Sequence, residues 1–249
     1  MPVCEWDGSS YDRISGTMER LGLEVLDRLE LAGDETVLDA GCGSGRITER
    51  LVARVPRGRV IAVDESPSMT AAARERLGPG VEVLTLDLLE LDLDEPVDAI
   101  LSTATFHWVA DHEHLFDRLH RTLRPGGRLV AQCGGEGNIS ILRGEVAPIM
   151  RREPFAEHFA SFSPPWNYAS AEVSEQRLRG AGFQSARCWL TPSPRTPEEP
   201  REFLSTIVLG PHVQQLPEAL REPFMDAVME RLPGPVAVDY VRLNIDATA

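Results

Sequence analysis

The segment Thr36-Val37-Leu38-Asp39-Ala40-Gly41-Cys42-Gly43-Ser44-Gly45-Arg46-Ile47 constrains the fold more than any other part of the chain. It reads as a short buried strand, a turn with glycine at every second position, and a helix start. Glycine turns tightly and lets a ligand approach bare backbone where a Cβ would clash. A strand that ends this way and feeds a helix belongs to an α/β sheet, whose ligands meet the carboxyl ends of the strands. A nucleotide-like cofactor is the first expectation.

The rest of the first half repeats that alternation. Residues 16–31 carry Met18, Leu21, Val25, Leu26 and Leu29 at near-helical spacing. Strands are expected at 36–39, 59–64, 81–86, 97–102 and 128–133, separated by helices at 44–55, from 66, and at 111–123. Strands joined through helices of this length form right-handed βαβ units and a parallel sheet. The second half is broken by Pro148, Pro154, Pro164 and Pro165. A helix is expected at 171–182, a strand at 183–190, helices at 201–209 and 218–232, and a last strand at 236–245. The division expected is a cofactor-binding core over 1–138 with an N-terminal lid helix, a cap insertion at 139–169, core again at 170–194, a helical cap segment at 195–234 and a final core strand at 235–249.

Composition narrows the partners. The 249 residues carry a net charge of −14, and every basic residue is arginine. An acidic chain without a basic face argues against nucleic acid. Cys4, Cys42, Cys133 and Cys188 are widely spaced, with no CxxC pair, which reads as reduced thiols in a cytoplasmic protein. Glu5, Asp7, Asp12, Arg13 and Glu19 interrupt any apolar run in residues 1–30, and no stretch approaches the roughly 20 residues of a membrane span. The expected species is a monomer or homodimer acting on a small molecule, with no membrane or nucleic-acid partner.

The spacing separates the cofactors. Dinucleotide dehydrogenases place a third glycine inside the helix, where this chain has Arg46. A phosphate-binding Gly-Lys-Ser/Thr loop is excluded because the chain has no lysine. Asp64 ends the second strand, 19 residues after Gly45, where a carboxylate accepts from both ribose hydroxyls. Asp87 follows the third strand, in reach of an adenine amino group, and Asp39 precedes the turn. Carboxylates at three successive strand ends suit a cationic cofactor without phosphate, and S-adenosylmethionine has an ammonium, a sulfonium and a ribose-adenine.

These residues, with Leu123-Arg124-Pro125-Gly126-Gly127, resemble the class I S-adenosylmethionine-dependent methyltransferases over roughly residues 30–135. Phe106-His107-Trp108-Val109, the stretch from Ala131 to Asn138, and Tyr240-Val241-Arg242-Leu243 resemble the trans-aconitate methyltransferase group and related small-molecule carboxyl methyltransferases. The resemblance implies a Rossmann-like seven-stranded, mostly parallel sheet flanked by helices, with a helical cap from insertions in the C-terminal half. It places Asp39, Gly41, Gly43 and Gly45 around the methionine part of the cofactor, Asp64 and Glu65 at the ribose, and Met69, Asp87 and Leu88 at the adenine. Thr103 is expected near the methionine end, and Tyr11 closes over the cofactor. The family often has glutamine at the position of His107 and asparagine at that of Thr103.

The donor carries its own electrophile, so the protein must orient the acceptor and exclude water. A carboxylate acceptor is already ionised at neutral pH and needs no base. A hydroxyl acceptor of a natural-product intermediate needs one, and His107 is the candidate. Trp108, Asn138, Arg143 and Trp166 are the candidate acceptor-binding residues. Phe155, Phe159, Phe162 and Tyr168 line an apolar pocket or fill the cap's own core. His112, His114 and His120 share a helix but point in different directions, which reads as a solvated polar face rather than a metal site. A cofactor-binding partner subunit without activity is the rival from another class; binding without turnover would mark it.

Overall fold

The computed structural model describes residues 16–232 and 234–249. Seven strands form one sheet in the order β3-β2-β1-β4-β5-β7-β6. They are β1 (Thr36–Ala40), β2 (Arg59–Asp64), β3 (Glu82–Thr85), β4 (Val97–Thr103), β5 (Leu123–Gly134), β6 (Ser185–Pro192) and β7 (Val241–Thr248). The pairs β1–β2, β2–β3, β1–β4 and β4–β5 are parallel, and β7 runs antiparallel to β5. The order reverses between β1 and β4, and the crevice at such a switch point is where open α/β sheets bind ligands. The glycine turn follows β1, at that point.

The helices beside the sheet start where local chemistry starts them. They are α1 (Gly16–Leu26), α2 (Arg46–Arg54), α3 (Pro67–Leu77) and α4 (His112–Thr122). Ser66 caps α3 by accepting from Met69 N, and Pro67 stands at its first position. Asp111 caps α4 by accepting from His114 N at 2.9 Å. On one sheet face, Val25, Leu26, Leu29, Ile47 and Leu51 cover Val37, Val60, Leu101 and Val130. On the other, Phe106, Leu115, Phe116, Leu119 and Phe183 cover Leu38, Ile100, Leu129 and Ile245. Each fully buried side chain of this size contributes roughly 1.5–3 kcal/mol.

Two compact units emerge. The first holds residues 16–136, Asn167–Thr191 and Arg242–Ala249; the second holds Gly137–Trp166 and Pro192–Val241. The first includes α5 (Ala171–Gly180), capped by Ser170. In the second lie α6 (Ser140–Met150), α7 (Ala156–Phe159), α8 (Pro200–Phe203), α9 (Gly210–Gln215) and α10 (Glu218–Arg231). The Asp239 carboxylate accepts from Ile141 N at 2.7 Å and Leu142 N at 3.2 Å, satisfying the first turn of α6. Among the described residues, no helix is long and apolar enough to cross a membrane.

Several boundaries differ from the sequence reading. The first helix ends at Leu26 rather than 31. β5 begins at Leu123, not 128, because Pro125-Gly126-Gly127 is built into the sheet: Gly126 N donates to Ala249 O and Ala249 N to Gly127 O. The last strand starts at Val241 rather than 236, since Val238 instead bridges Arg195 within the second unit. The helix expected at 201–209 is α8 followed by a π-helical turn over Leu204–Val208. Asn167 and Tyr168 belong to the first unit, where Asn167 N donates to His107 O and Asn167 Nδ2 to Ala110 O.

Asp98 joins three strands. Its Oδ2 accepts from Thr36 N at 2.6 Å, at the start of β1, and its carboxylate pairs with Arg124 on β5. Asp98→Ala removes both charge-assisted bonds and should lower unfolding stability by about 2–3 kcal/mol. Urea unfolding would show it; an unchanged midpoint would overturn this role.

Candidate active site

The turn is fixed by one carbonyl. Gly41 N and Cys42 N both donate to Val63 O on β2, at 2.8 and 2.9 Å. Gly41 has φ +84°, and a Cβ there would stand 2.1 Å from Thr105 Oγ1, so the position has neither the conformation nor the room for a side chain. Gly43 has φ +54°, with open space where a Cβ would be. Gly45, also at positive φ, forms the N-cap of α2. Gly41, Gly43, Thr103 and Ala104 line a cavity of about 70 Å³ together with Gln132, Arg242 and residues of α1.

Carboxylates cluster on the β2 and β3 side of the turn. Asp39 is 1 % exposed; its Oδ2 accepts from Thr48 Oγ1 at 2.7 Å, while its buried Oδ1 has no partner among the described residues. Burial pushes its pKa up to about 7, and nearby Asp64 adds to the rise. Asp64 accepts from Gly43 N through Oδ2 and from Ser66 N through Oδ1, both at 2.9 Å, and burial raises its pKa as well. Glu65 is raised by partial burial, then by Asp87 and Asp64. Asp87 accepts from Leu89 N at 2.9 Å. Met69 is buried beneath this edge on α3, and the Leu88 side chain packs into the core rather than toward the surface.

The orphaned Asp39 oxygen, the open space over Gly43 and the second lone pairs of the Asp64 carboxylate fit a ligand that brings a cation and paired hydroxyls. The cavity lining contains Gly41, Gly43 and Thr103 but not Asp39, Asp64, Glu65 or Asp87.

His107 lies in a short 3-10 turn, Phe106–Trp108, just after β4. It is 8 % exposed, and its Nδ1 accepts from Gly134 N at 3.3 Å. Its ring stacks on Tyr168 at 5.8 Å and lies 5.1 Å from Trp108. Burial first, then the charge of Arg242 and the neighbouring His112, hold its pKa well below the usual imidazole value. A neutral ring that accepts at Nδ1 carries its proton on Nε2. In this geometry Nδ1 is engaged by Gly134 N, and the ring presents an N–H at Nε2.

The other histidines of α4 have separate structural tasks. His112 is buried, not solvated: Nε2 donates to Phe106 O at 2.8 Å. His114 Nε2 contacts Leu89 O, and the His120 ring packs on Phe183.

Arg242 and Gln132 carry no role in the sequence reading, yet both line the cavity. Arg242 is 3 % exposed, and its Nε donates to Gln132 Oε1 at 3.4 Å. Gln132 Nε2 donates in turn to Asn244 Oδ1 at 2.8 Å, which also accepts from Arg28 Nη1 at 2.6 Å. The available signal was alternation: Arg242 and Asn244 share one face of β7, and β7 is an interior strand.

A methyltransferase-domain family model matches residues 37–127. Trans-aconitate 2-methyltransferase of Methylobacterium nodulans is 34% identical, over 76% of this chain and 68% of that protein. The enzyme of the same name from Paracidovorax citrulli is 30% identical, over 96% of this chain and 94% of that protein. This chain belongs to the trans-aconitate 2-methyltransferase family. It is an S-adenosylmethionine-dependent methyltransferase. The same fold occurs in phosphoethanolamine N-methyltransferase 2 of Haemonchus contortus, bound to phosphomonomethylethanolamine and S-adenosylhomocysteine, at 20% identity and TM-score 0.62, covering 97% of this chain and 56% of that one.

Tyr11 lies outside the described residues. Asn138, Arg143 and Trp166 belong to the second unit. Asn138 is buried and its Oδ1 accepts from Val241 N at 2.9 Å, which braces that unit. Arg143 is exposed on α6. Trp166 lies 5.6 Å from the ring of His212, which Phe159 and Phe162 also flank. Phe155 and Phe159 pack on Phe224, so they fill that unit's own core. His212 has no role in the sequence reading; its buried Nδ1 has no partner among the described residues, and burial, then Arg143, lower its pKa to about 4.

The elevated Asp39 gives a pH signature. Its folded pKa of about 7 lies above the ordinary aspartate value of 3.8, so between those values the native state holds more protons than the unfolded state. Its contribution to stability therefore falls as pH rises from about 4 to 7, by at most about 4 kcal/mol, and is level above that. Asp39→Asn keeps an acceptor for Thr48 and removes the titration. The stability of the variant relative to the parent should climb between pH 5 and pH 8 in urea unfolding. A pH-independent difference would refute a buried, titrating Asp39.

Proposed function

We propose that this methyltransferase transfers a methyl group to a carboxylate oxygen of a small organic acid. The observation that carries the reading is His107: its Nδ1 is engaged by Gly134 N and its environment keeps it neutral. A site whose histidine offers only an N–H suits a nucleophile that arrives ionised, as a carboxylic acid does at neutral pH. The relatives named for trans-aconitate support the same class.

S-adenosylmethionine supplies an electrophilic methyl group on a sulfonium. Asp39 is suited to the ammonium, either directly through Oδ1 or by way of water. Asp64 has lone pairs left for the ribose hydroxyls, with Glu65 beside it. Met69 and the backbone at Leu88 would border the adenine, with Asp87 at its amino group. Thr103 and the turn at Gly41 and Gly43 would border the methionine end, and Tyr11 would complete that side. The carboxylates provide a negative field that favours a sulfonium ligand over the neutral thioether left after transfer. His107 Nε2–H then orients the acceptor, with Trp108 beside it. A carboxylate acceptor would arrive ionised and leave as a neutral ester, so none of these residues would need to take or give a proton. Buried free thiols at Cys42, Cys133 and Cys188 suit a reducing, cytoplasmic setting.

Incubation with methyl-labelled S-adenosylmethionine and trans-aconitic acid, other small acids and phenols should label acids only. Mild alkali should release that label as methanol; label that survives alkali would overturn the reading. His107→Gln supplies both an acceptor for Gly134 N and an N–H donor, so it should keep turnover within about thirtyfold. A loss beyond roughly a thousandfold, in the range of a lost acid–base group, with S-adenosylhomocysteine binding intact, would restore the base.

A further inference from the structure

We propose that Arg242 is the residue that recognises the acceptor's carboxylate, held in position by Gln132. The proposal rests on the carboxylate reading above and names the group that selects for it.

Strand register brings the parts together. β4, β5 and β7 lie side by side, with Thr103 opposite Gln132 and Gln132 opposite Asn244. One step of alternation along, Gly134 stands opposite Arg242. Gly134 is also the residue whose N–H fixes His107. The His107 ring and the Arg242 guanidinium therefore attach to one cross-strand pair, and the charge of Arg242 reaches His107. Arg242 and Gln132 line the same cavity as Gly41, Gly43 and Thr103. A fixed positive charge thus stands on the β5–β7 side of the turn, while the carboxylates stand on the β2–β3 side.

The chemistry of the two sides differs. A guanidinium is always charged and offers forked donors that match a carboxylate. It can engage one carboxylate oxygen and leave the other for the methyl group, with His107 Nε2–H as a second guide. Gln132 is one of the groups that hold it and is itself tied: it accepts from Arg242 and donates to Asn244, and Asn244 Nδ2 donates to Thr191 Oγ1 at 3.1 Å. A buried arginine presented this way is preorganised for an anion and rejects a neutral isostere, whose amide would add N–H donors against N–H donors.

The wild type should bind trans-aconitic acid, or the best acid of the acceptor panel, roughly tenfold to a hundredfold more tightly than its carboxamide, the worth of a charge-assisted hydrogen bond. Equal binding of acid and amide would overturn the proposal without any variant. Arg242→Gln should raise KM for the acid by a similar factor and erase the preference over the amide, with the Kd for S-adenosylhomocysteine within about twofold; a Kd weakened tenfold or more would assign Arg242 to the cofactor's own carboxylate and overturn the proposal. Arg242→Lys should recover part of the preference. Where Arg242→Gln fails to fold, Gln132→Glu decides: its carboxylate competes for Arg242 and should raise KM for the acid while S-adenosylhomocysteine still binds. Acids methylated with unchanged KM in the folded variants would sink Arg242 and leave carboxyl methylation standing. Failure of the wild type to methylate any acid would sink carboxyl methylation itself.

Discussion

The carbonyl of Val63 receives two amide hydrogens, from Gly41 and Cys42, and the site is built around that shared anchor. It ties the chain leaving β1 to the end of β2 and forces the sharp reversal that a left-handed Gly41 permits. Asp64, one residue beyond Val63, then closes the loop from the other side by accepting from Gly43 N. The reversal and the buried carboxylate are each held by several neighbours.

The electrostatics divide around this turn. Asp39, Asp64, Glu65 and Asp87 crowd one side, where burial raises three of the four and neighbouring carboxylates add to the rise at Asp39 and Glu65. Such crowding is destabilising by itself and favours a cationic ligand. The other side differs: His107 is held neutral by burial, Cys133 is pushed up to about 12 by burial, and Arg242 brings a guanidinium. Two substrates of opposite charge are thus accommodated at one strand edge without a metal-ligand cluster among the described residues.

The donor half of the site was legible because its signals are local. Glycine spacing, a strand and the next carboxylate all lie within a few dozen residues, and their order along the chain is their order across the sheet. The other half depends on non-local pairing. Arg242 and Asn244 look like the wet face of an edge strand, and only the insertion of β7 between β5 and β6 turns that face inward. His112 misled for a similar reason: polar spacing on α4 suggested solvent, whereas its ring is needed to satisfy the Phe106 carbonyl. The Pro125-Gly126-Gly127 corner read as a break, since the partner that carries it through the sheet is Ala249, at the far end of the sequence.

The antiparallel course of β7 has a temporal side. Its first residues, not its last, reach the ligand edge, so Gly134 on β5 meets Arg242 across more than a hundred residues of intervening chain. Chains emerge from the ribosome N-terminal part first. The glycine turn and its carboxylates can assemble before β7 is synthesised, whereas Arg242 can take its place only after β7 has emerged. A nascent chain would hold a methyl-donor crevice well before it held the residue we assign to the acceptor, so its two substrate sides mature in sequence rather than together.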